Sequence, residues 1–304
     1  HGSSLASHAV VSVYGAAAAA AALEGLSPEQ VRWVLSYATQ QSSGVTTWLR
    51  DERHVEKAFV FGGMGARNGV AAATMVASGM DGVNDAFSGH PNALDALSPL
   101  ADRSLLVEGL GERYEVMRTN IKKYAVGSPA QAAVQATEDL IERDGLTADQ
   151  VERIQIHLPA DLARIVDSRH MPDINCQYLV AGTLLDGRFT FEMAHDDARM
   201  AAPDVRDLIA RTELLEDEPT RGTRKGRVVV HRRSGEPVEA FVDAVRGTAQ
   251  NPMGECEITD KCRDLLHPLL GEQRGEELID LLLNPDKVTD VRDLRSLLEN
   301  PTKE

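Results

Sequence analysis

The sequence predicts a mainly helical protein with an α+β segment in its middle. Alanine, glycine and leucine are abundant, whereas aromatic residues make up only 4% of the 304 residues. This composition favours closely packed helices over an aromatic-rich β-sandwich. Helical spacing of apolar residues occupies the first hundred or so positions and returns after about position 255, and alternating patterns lie between them. The predicted order is therefore helical, α+β, helical.

The first predicted domain, residues 1–111, contains three long helices. They are expected over residues 9–24, 28–43 and 65–79. Alanine dominates the first of them and has the highest helix propensity of all residues. Ser27 and Gln30 have the spacing of a capping box, and Pro28 occupies the first helical position. The second helix therefore has a clear predicted start.

The second predicted domain, residues 112–250, combines helices with strands. Strands are expected over residues 114–117, 151–158, 227–231 and 238–242, and helices over 129–144, 177–185 and 205–211. The last two strands flank Ser234-Gly235, a sequence typical of a β-hairpin turn. The third region, residues 251–304, carries leucines at helical spacing. Its helices are expected over residues 262–270, 276–283 and 288–298.

The chain is strongly acidic, with 32 basic and 47 acidic residues and a net charge of −15. Nucleic acids and anionic membranes are bound through concentrated positive surfaces, so neither is an expected partner. A polycarboxylate substrate would be repelled by the overall field unless local cations compensated for it. Lys122, Lys123 and Arg67 are therefore more informative here than they would be in a basic protein.

The three cysteines, Cys176, Cys256 and Cys262, show no regular spacing. An odd, small number predicts reduced thiols in a cytoplasmic protein, and no zinc-ligand pattern accompanies them. No apolar run predicts a membrane span, and no signal peptide is visible. Since convincing Walker, dinucleotide-binding, zinc-protease and serine-hydrolase motifs are also missing, neither a cofactor nor a metal is expected.

Residues 53–70 join ionisable side chains to a glycine-rich stretch. Gly62, Gly63 and Gly65 predict a tight, crowded turn beside a packed helix, because glycine tolerates positive φ and close backbone approach. His54 and Lys57 precede this turn and are residue types that handle carboxylates and protons. On residue types alone, a solvated helix start is the favoured interpretation.

Four further residues have both a structural and a functional interpretation. Lys122 and Lys123 precede Ser128, and this combination of cations with a helix N-terminus suits a carboxylate, although a solvated lysine pair is equally compatible. Tyr178 lies on an apolar helix, where a tyrosine is more often a core residue. His8 precedes the alanine-rich helix, and an isolated histidine there is usually structural.

Several segments in the same order resemble the MmgE/PrpD family, which includes 2-methylcitrate dehydratases and cis-aconitate decarboxylases. They include HVEKAFVFGGMGARNGVAAA, KKYAVGSPAQAAVQA and INCQYLVAGTLLDGRFT. The resemblance implies that the α+β part is a smaller lid domain inserted into an all-helical domain, to which the C-terminal helices return. It also implies that this chain lacks the N-terminal part of that helical domain.

The resemblance assigns roles to particular residues. It implies Lys57, Lys122, His8 and Tyr178 as catalytic residues, and His54, Arg67, Lys123 and Ser128 as substrate contacts. The implied activity is that of a cofactor-independent lyase on a small di- or tricarboxylic acid, with a homodimer as the expected assembly. A hydro-lyase of propionate metabolism acting on 2-methylcitrate is the first expectation. Decarboxylation of cis-aconitate or epimerisation of a related acid is the alternative.

The shorter N-terminal region that the resemblance implies would allow a second class of function. Family members carry further active-site residues there, including an aspartate and a histidine. A chain without them could be a non-catalytic homologue or depend on a partner chain. Convergence of Lys57, Lys122 and Tyr178 on one cleft would favour the enzyme, whereas their dispersal would favour a resemblance of fold alone.

Overall fold

The computed structural model describes residues 4–51, 53–98 and 100–299. It divides into two units, His1–Arg113 and Tyr114–Glu304, and each unit has its own hydrophobic core. The described residues are mainly helical, with one small mixed sheet, as the fold-class prediction required. The predicted division at residues 111 and 250, the lid arrangement and the return of the C-terminal helices stay predictions.

The first unit is built from helices. They are α1 Ser7–Leu23, α2 Pro28–Gln41, α3 Val55–Ala58, α4 Met64–Ala77 and α5 Ala93–Leu97, with 3₁₀ helices Thr46–Arg50 and Arg103–Leu106 and the π-helix Phe59–Gly63. The capping box is confirmed: Gln30 N donates to Ser27 Oγ and Ser27 N to Gln30 Oε1, at 3.3 and 2.9 Å.

The glycine-rich stretch forms no turn, which corrects that prediction. Gly62 and Gly63 end the π-helix, and Gly65 is the second residue of α4. None of the three has a positive φ. A Cβ at Gly65 would lie 2.0 Å from Ser12 Oγ, and one at Gly69 would lie 2.6 Å from the Val13 carbonyl oxygen. Close helix packing, rather than a turn, therefore explains why glycine stands at positions 65 and 69.

The second unit contains all four strands found among the described residues. These are β1 Val151–Leu158, β2 Thr212–Glu216, β3 Gly226–Arg232 and β4 Val238–Val242. Its helices are α6 Gln131–Asp144, α7 Ala160–Val166, α8 Cys176–Asp186, α9 Phe191–Ala194, α10 Asp197–Met200, α11 Pro203–Ala210, α12 Glu255–Leu270, α13 Glu272–Leu283 and α14 Arg295–Leu298. The 3₁₀ helices are Glu115–Arg118, Ser128–Ala130, Ala148–Gln150, Pro172–Ile174, Glu218–Thr220, Pro285–Lys287 and Val291–Leu294.

The sheet has the strand order β2-β1-β3-β4. Strand β1 runs parallel to β2 and antiparallel to β3, with Ile154 opposite Thr212 on one side and Val230 on the other. Helix α6 packs on this sheet, and its buried residues share a core with those of β1 and α8. The predicted hairpin of β3 and β4 is confirmed.

Three parts of the second unit differ from the predictions. Residues 114–117 form no strand: a 3₁₀ helix, Glu115–Arg118, occupies this region, and Val116 is 73% exposed. An exposed segment without a strand neighbour has nothing to complete its backbone hydrogen bonds in a sheet. Strand β2 was not predicted. The predicted last helix, residues 288–298, is a 3₁₀ turn followed by the short α14.

Candidate active site

A small, cationic pocket of about 100 Å³ lies wholly within the second unit. Its lining residues are Asn120, Lys122, Ser128, Gln131, Arg224, Val245, Arg246, Gly247 and Thr248, and it is called the Lys122 pocket below. A neighbouring cavity of about 420 Å³ shares Asn120, Arg224, Val245 and Thr248 with it. Because whole-ligand sites usually exceed about 300 Å³, the Lys122 pocket has the size of a subsite for one polar group.

The backbone that carries Lys122 is fixed to the loop that follows β4. Ile121 N donates to the Gly247 carbonyl oxygen at 2.7 Å, and Ala249 N donates to Asn120 Oδ1 at 3.2 Å. Gly247 has a φ of +94°, and a Cβ there would lie 1.9 Å from the Ile121 carbonyl oxygen. Only glycine allows this approach, so Gly247 brings two distant chain segments together at the pocket.

The Lys122 side chain is oriented by a buried glutamine. Lys122 Nζ donates to the Val126 carbonyl oxygen at 2.9 Å. Gln131 Nε2 donates to the same oxygen at 3.3 Å and to the Tyr124 carbonyl oxygen at 2.7 Å, and Gln131 is 4% exposed. Gln131 therefore holds the loop whose carbonyl group positions the lysine.

The two arginines that line the pocket have different electrostatic roles. Arg246 donates to Glu257 through both Nε and Nη2, and these hydrogen bonds, with the Gly254 N–H, lower the pKa of Glu257 to about 2. The charge of Arg246 is thus balanced. The Arg224 guanidinium has no hydrogen bond or ion pair within the described part of the chain, and it is exposed. The pocket can therefore offer the Arg224 guanidinium to an arriving anion.

Lys123 and Tyr178 lie away from this pocket. Lys123 Nζ donates to Glu138 Oε2 at 3.1 Å and lines a different cleft. Tyr178 is fully buried in the core, and its hydroxyl donates to the Met193 carbonyl oxygen at 2.5 Å. Burial raises the pKa of Tyr178 to about 12. This arrangement favours the core interpretation of Tyr178 over the substrate-facing one.

The first unit brings Lys57 and His8 to one aromatic cluster. Lys57 Nζ lies 5.7 Å from the centre of the Trp48 ring and 5.8 Å from that of Phe61, within cation–π range. His8 stacks on the same Phe61 at 4.4 Å with an interplanar angle of 12°. The buried Trp48 indole N–H has no acceptor among the residues the structure describes. An ammonium group and an imidazole thus share one ring.

The turn before Lys57 is organised by an acidic residue. Asp51 accepts backbone N–H bonds from Arg53, Glu56 and Lys57 at 3.1, 2.7 and 3.2 Å. His54 precedes α3 in the left-handed conformation, with a φ of 55°. Asp51 therefore fixes the start of the short helix that presents Lys57.

Arg67 occupies the first two turns of α4. Its guanidinium lies 5.5 Å from the centre of the Phe59 ring and donates to Asn68 Oδ1 at 3.1 and 3.0 Å. Arg67 is exposed, with a neutral partner rather than a carboxylate in these contacts. Its predicted contact with substrate, like that of His54, stays a prediction.

Sequence models of two domains match this chain. The MmgE/PrpD N-terminal domain matches residues 1–105, and the MmgE/PrpD C-terminal domain matches residues 124–285. The chain belongs to the MmgE/PrpD family. The second match begins at Tyr124, beside Lys122, and extends beyond the last strand, so it includes most of the Lys122 pocket.

Among curated MmgE/PrpD-like proteins, this chain is similar to fungal decarboxylases. It is 25% identical to the cis-aconitate decarboxylase of Aspergillus terreus over 324 residues, which cover 96% of this chain and 64% of the relative. It is 24% identical to the cis-aconitate decarboxylase-like protein oryM of Aspergillus oryzae over 317 residues, or 94% of this chain and 64% of that protein. The chain thus spans less than two thirds of these relatives.

The structure reveals lining residues of the pocket that reasoning from the sequence missed. Arg224 and Thr248 line the Lys122 pocket, as does Asn120. A signal for Arg224 is present in residues 221–227, RGTRKGR, where four of seven residues are basic in a chain of net charge −15. Such a local excess of cations marks an anion-binding segment. Thr248 and Asn120 have no comparable signal.

Across residues 4–51, 53–98 and 100–299, no helix combines the length and apolar character that crossing a membrane requires. Nor do the described residues bring together three or more histidine, cysteine, aspartate or glutamate side chains in a way that could hold a metal ion.

Proposed function

We propose that this protein is a lyase that acts on a small di- or tricarboxylic acid without a cofactor. The observation that carries the proposal is the Lys122 pocket, in which Lys122, Ser128 and Arg224 line a space suited to one carboxylate. The pocket sits in an acidic chain, where cations gathered at one point need an explanation. The MmgE/PrpD family includes lyases on such acids.

The pocket supports one half of the chemistry. Removing a proton from the carbon next to a carboxylate places negative charge on that carboxylate, and fixed cations stabilise it. Lys122 and Arg224 are suited to this role because they can donate charge-assisted hydrogen bonds to both oxygens. Ser128 can add a neutral donor.

The aromatic cluster of the first unit supports the other half. We assign proton transfer to Lys57, with His8 as its partner, because both side chains contact Phe61 and neither is deeply buried. A base and an acid are both needed, since the proton that leaves carbon and the proton that enters the product or leaving group follow different paths.

Dehydration of 2-methylcitrate is our first candidate reaction. A base removes the proton on the carbon next to one carboxylate, the carbon–carbon double bond forms, and the neighbouring hydroxyl leaves with a proton as water. The stabilised intermediate charge rests on the carboxylate held by Lys122 and Arg224. No oxidant or reductant is needed.

Decarboxylation of cis-aconitate is the second candidate, and the names of the curated relatives favour it. Here the bond to one carboxyl carbon breaks, carbon dioxide leaves, and its electron pair enters the adjacent unsaturated carboxylate system. A proton is then added to carbon. The same cations would stabilise the charge, and one acid would replace the acid–base pair.

The experiment is to incubate the purified full chain with 2-methylcitrate, citrate and cis-aconitate while following unsaturated-acid absorbance and carbon dioxide release. Absorbance without carbon dioxide identifies the dehydratase, and carbon dioxide identifies the decarboxylase. Lys122→Ala and Arg224→Met should each lower kcat/KM by about tenfold to a hundredfold, the value of a charged hydrogen bond.

Arg221→Met is the matched control, because Arg221 pairs with Glu218 at 3.6 Å in the same basic segment and does not line the pocket. It should leave kcat/KM unchanged. Equal effects of Arg221→Met and Arg224→Met would show that the overall charge of the basic segment, and not a contact in the pocket, affects the kinetics. A folded chain that turns over none of the acids would instead support the non-catalytic or partner-dependent homologue. The homodimer and the cytoplasmic location remain part of the proposal.

A further inference from the structure

A second cleft, of about 320 Å³, lies in the same unit and shares no lining residue with the Lys122 pocket. It is called the Lys261 cleft below. Its lining residues are Lys123, Tyr124, Ala125, Glu138, Arg188, Phe189, Thr190, Glu257, Asp260, Lys261, Asp264 and Leu265. Its volume falls within the range of small-molecule sites. Nothing in the proposed lyase chemistry uses it.

The four carboxylates of the cleft already have donors. Glu138 accepts from the Tyr124 hydroxyl at 2.8 Å, from Lys123 Nζ at 3.1 Å and from Phe189 N at 3.1 Å. Glu257 accepts from Arg246, and Asp260 accepts from Arg263 at 3.1 Å. Asp264 accepts from Phe191 N at 3.4 Å. The anionic side of the cleft is thus satisfied from within the protein. A cationic ligand would have to displace these contacts.

Two cations of the cleft have no carboxylate partner. Lys261 Nζ donates to the carbonyl oxygen of Lys122, a neutral acceptor, and forms no ion pair with a carboxylate in the described part of the chain. Burial lowers the pKa of Lys261, as expected of an ammonium group that lacks a counter-ion. Arg188 makes no hydrogen bond or ion pair among the described residues. A negatively charged ligand could therefore pair with Lys261 and Arg188.

An apolar wall lies beside these cations. The Tyr124 and Phe189 rings meet edge to face with their centres 5.1 Å apart, and Leu265 lines the same cleft. Inorganic anions would leave this wall uncovered. A ligand with an anionic head and a flat or branched apolar body would satisfy both parts of the cleft.

We propose that the Lys261 cleft is a second binding site, which takes a monocarboxylate with an aromatic or branched apolar body. The carboxylate pairs with Arg188 and Lys261, and the apolar body packs on Phe189 and Leu265. This site is independent of the lyase function, because it uses none of the residues assigned to that chemistry.

The test uses 4-fluorobenzoate as the probe and follows its ¹⁹F NMR signal as the full chain is titrated. We expect saturable line broadening, which Arg188→Met and Lys261→Met each weaken by about tenfold or more, the value of a charged hydrogen bond. Lys261→Arg should retain binding, since it keeps the charge and the donor to Lys122. The neutral 4-fluorobenzyl alcohol should bind at least tenfold more weakly than the acid.

Arg224→Met is the control, because Arg224 does not line the Lys261 cleft, and it should leave the broadening unchanged. Broadening that is lost in Arg224→Met, or that persists in both Arg188→Met and Lys261→Met, overturns the proposal. So does the lack of saturable binding to the folded wild-type chain. Circular dichroism confirms the fold of each variant. Since the readout is binding rather than turnover, this proposal can fail while the lyase proposal stands, and the reverse.

Discussion

Lys57 and Lys122 are chemically identical side chains placed in opposite surroundings. Lys57 lies over the Trp48 and Phe61 rings in the helical unit, and His8 stacks on Phe61 as well. Lys122 donates to a carbonyl oxygen and shares its pocket with arginine side chains in the α+β unit. A ring-lined lysine beside a histidine suits proton transfer, whereas a lysine grouped with other cations suits anion binding.

The sharpest test of this contrast replaces Lys57. We expect Lys57→Met to lower kcat by about 10²–10⁴-fold, the range for loss of a general acid or base, with a smaller change in KM. Lys122→Met should raise KM as well as lower kcat, because Lys122 holds the carboxylate of the bound substrate and also stabilises the charge that develops on it. Steady-state kinetics on the acid that the wild type turns over measures both quantities.

Arg32→Met removes one cation from the exposed part of α2 and controls for the change in net charge. It should leave both constants unchanged. If Lys57→Met raised KM and spared kcat, the contrast would be lost and Lys57 would join Lys122 as a binding residue.

The backbone around the Lys122 pocket depends on glycine at position 247. Gly247→Ala should lower the free energy of unfolding by more than about 4 kcal/mol, because the new Cβ would collide with a backbone oxygen while φ is positive. Gly222 also has a positive φ, +78°, but has open space around it, so Gly222→Ala should cost only about 1–2 kcal/mol. Urea unfolding measures both. Equal losses would show that backbone conformation, not contact with Ile121, sets the requirement for glycine.

Tyr178 was also predicted to be catalytic, and replacing it tests whether its role is catalytic or structural. Tyr178→Phe should lower the free energy of unfolding by about 1–3 kcal/mol, because the buried Met193 carbonyl loses its donor, and should change kcat less than about twofold. Tyr37 also donates to a backbone carbonyl, that of Asp81 at 2.7 Å, but in an exposed position. Tyr37→Phe should therefore cost little. A large fall in kcat with unchanged stability would return Tyr178 to the active site.

The smallest expected effect concerns the Arg246–Glu257 pair behind the Lys122 pocket. The folded pKa of Glu257, about 2, lies below its ordinary value of 4.5. The pair therefore stabilises the protein fully above pH 4.5, and this contribution is lost as the pH falls toward 2. Glu257→Gln should lower stability at pH 7 by under about 1 kcal/mol, since the pair is partly exposed.

The difference between Glu257→Gln and the wild type should shrink as the pH falls from 4.5 toward 2, measured as urea midpoints at a series of pH values. A difference that stays constant over this range would mean that the carboxylate charge does not contribute.

Local sequence signals predicted the elements that local forces determine. Ser27 and Gln30 close a capping box as expected, and the Ser234-Gly235 turn joins the predicted hairpin. Strand β2 was not predicted because TELLE shows no clear alternation of apolar and polar residues. Its residues are exposed or half-buried, and it pairs with β1. Residues 114–117 have strand-like composition, but local propensity yields to the tertiary surroundings.

The candidate site was predictable only in part. Lys122 and Ser128 were found because they stand in a short motif, whereas Arg224 and Gly247 come from distant parts of the chain. Their meeting depends on the order of the strands and on one close backbone approach, neither of which a sequence pattern specifies. His8 and Lys57 were singled out separately, but the Phe61 ring that links them became visible only in three dimensions.

Lys122 and Lys123 are neighbours in sequence, yet one lines the Lys122 pocket and the other the Lys261 cleft. A single backbone segment therefore forms the partition between two cavities, and its register decides which lysine each receives. Inserting or deleting one residue between Asn120 and Lys123 would exchange or remove both at once, a greater disturbance than any substitution there. In this segment, the number of residues therefore matters as much as the type of their side chains.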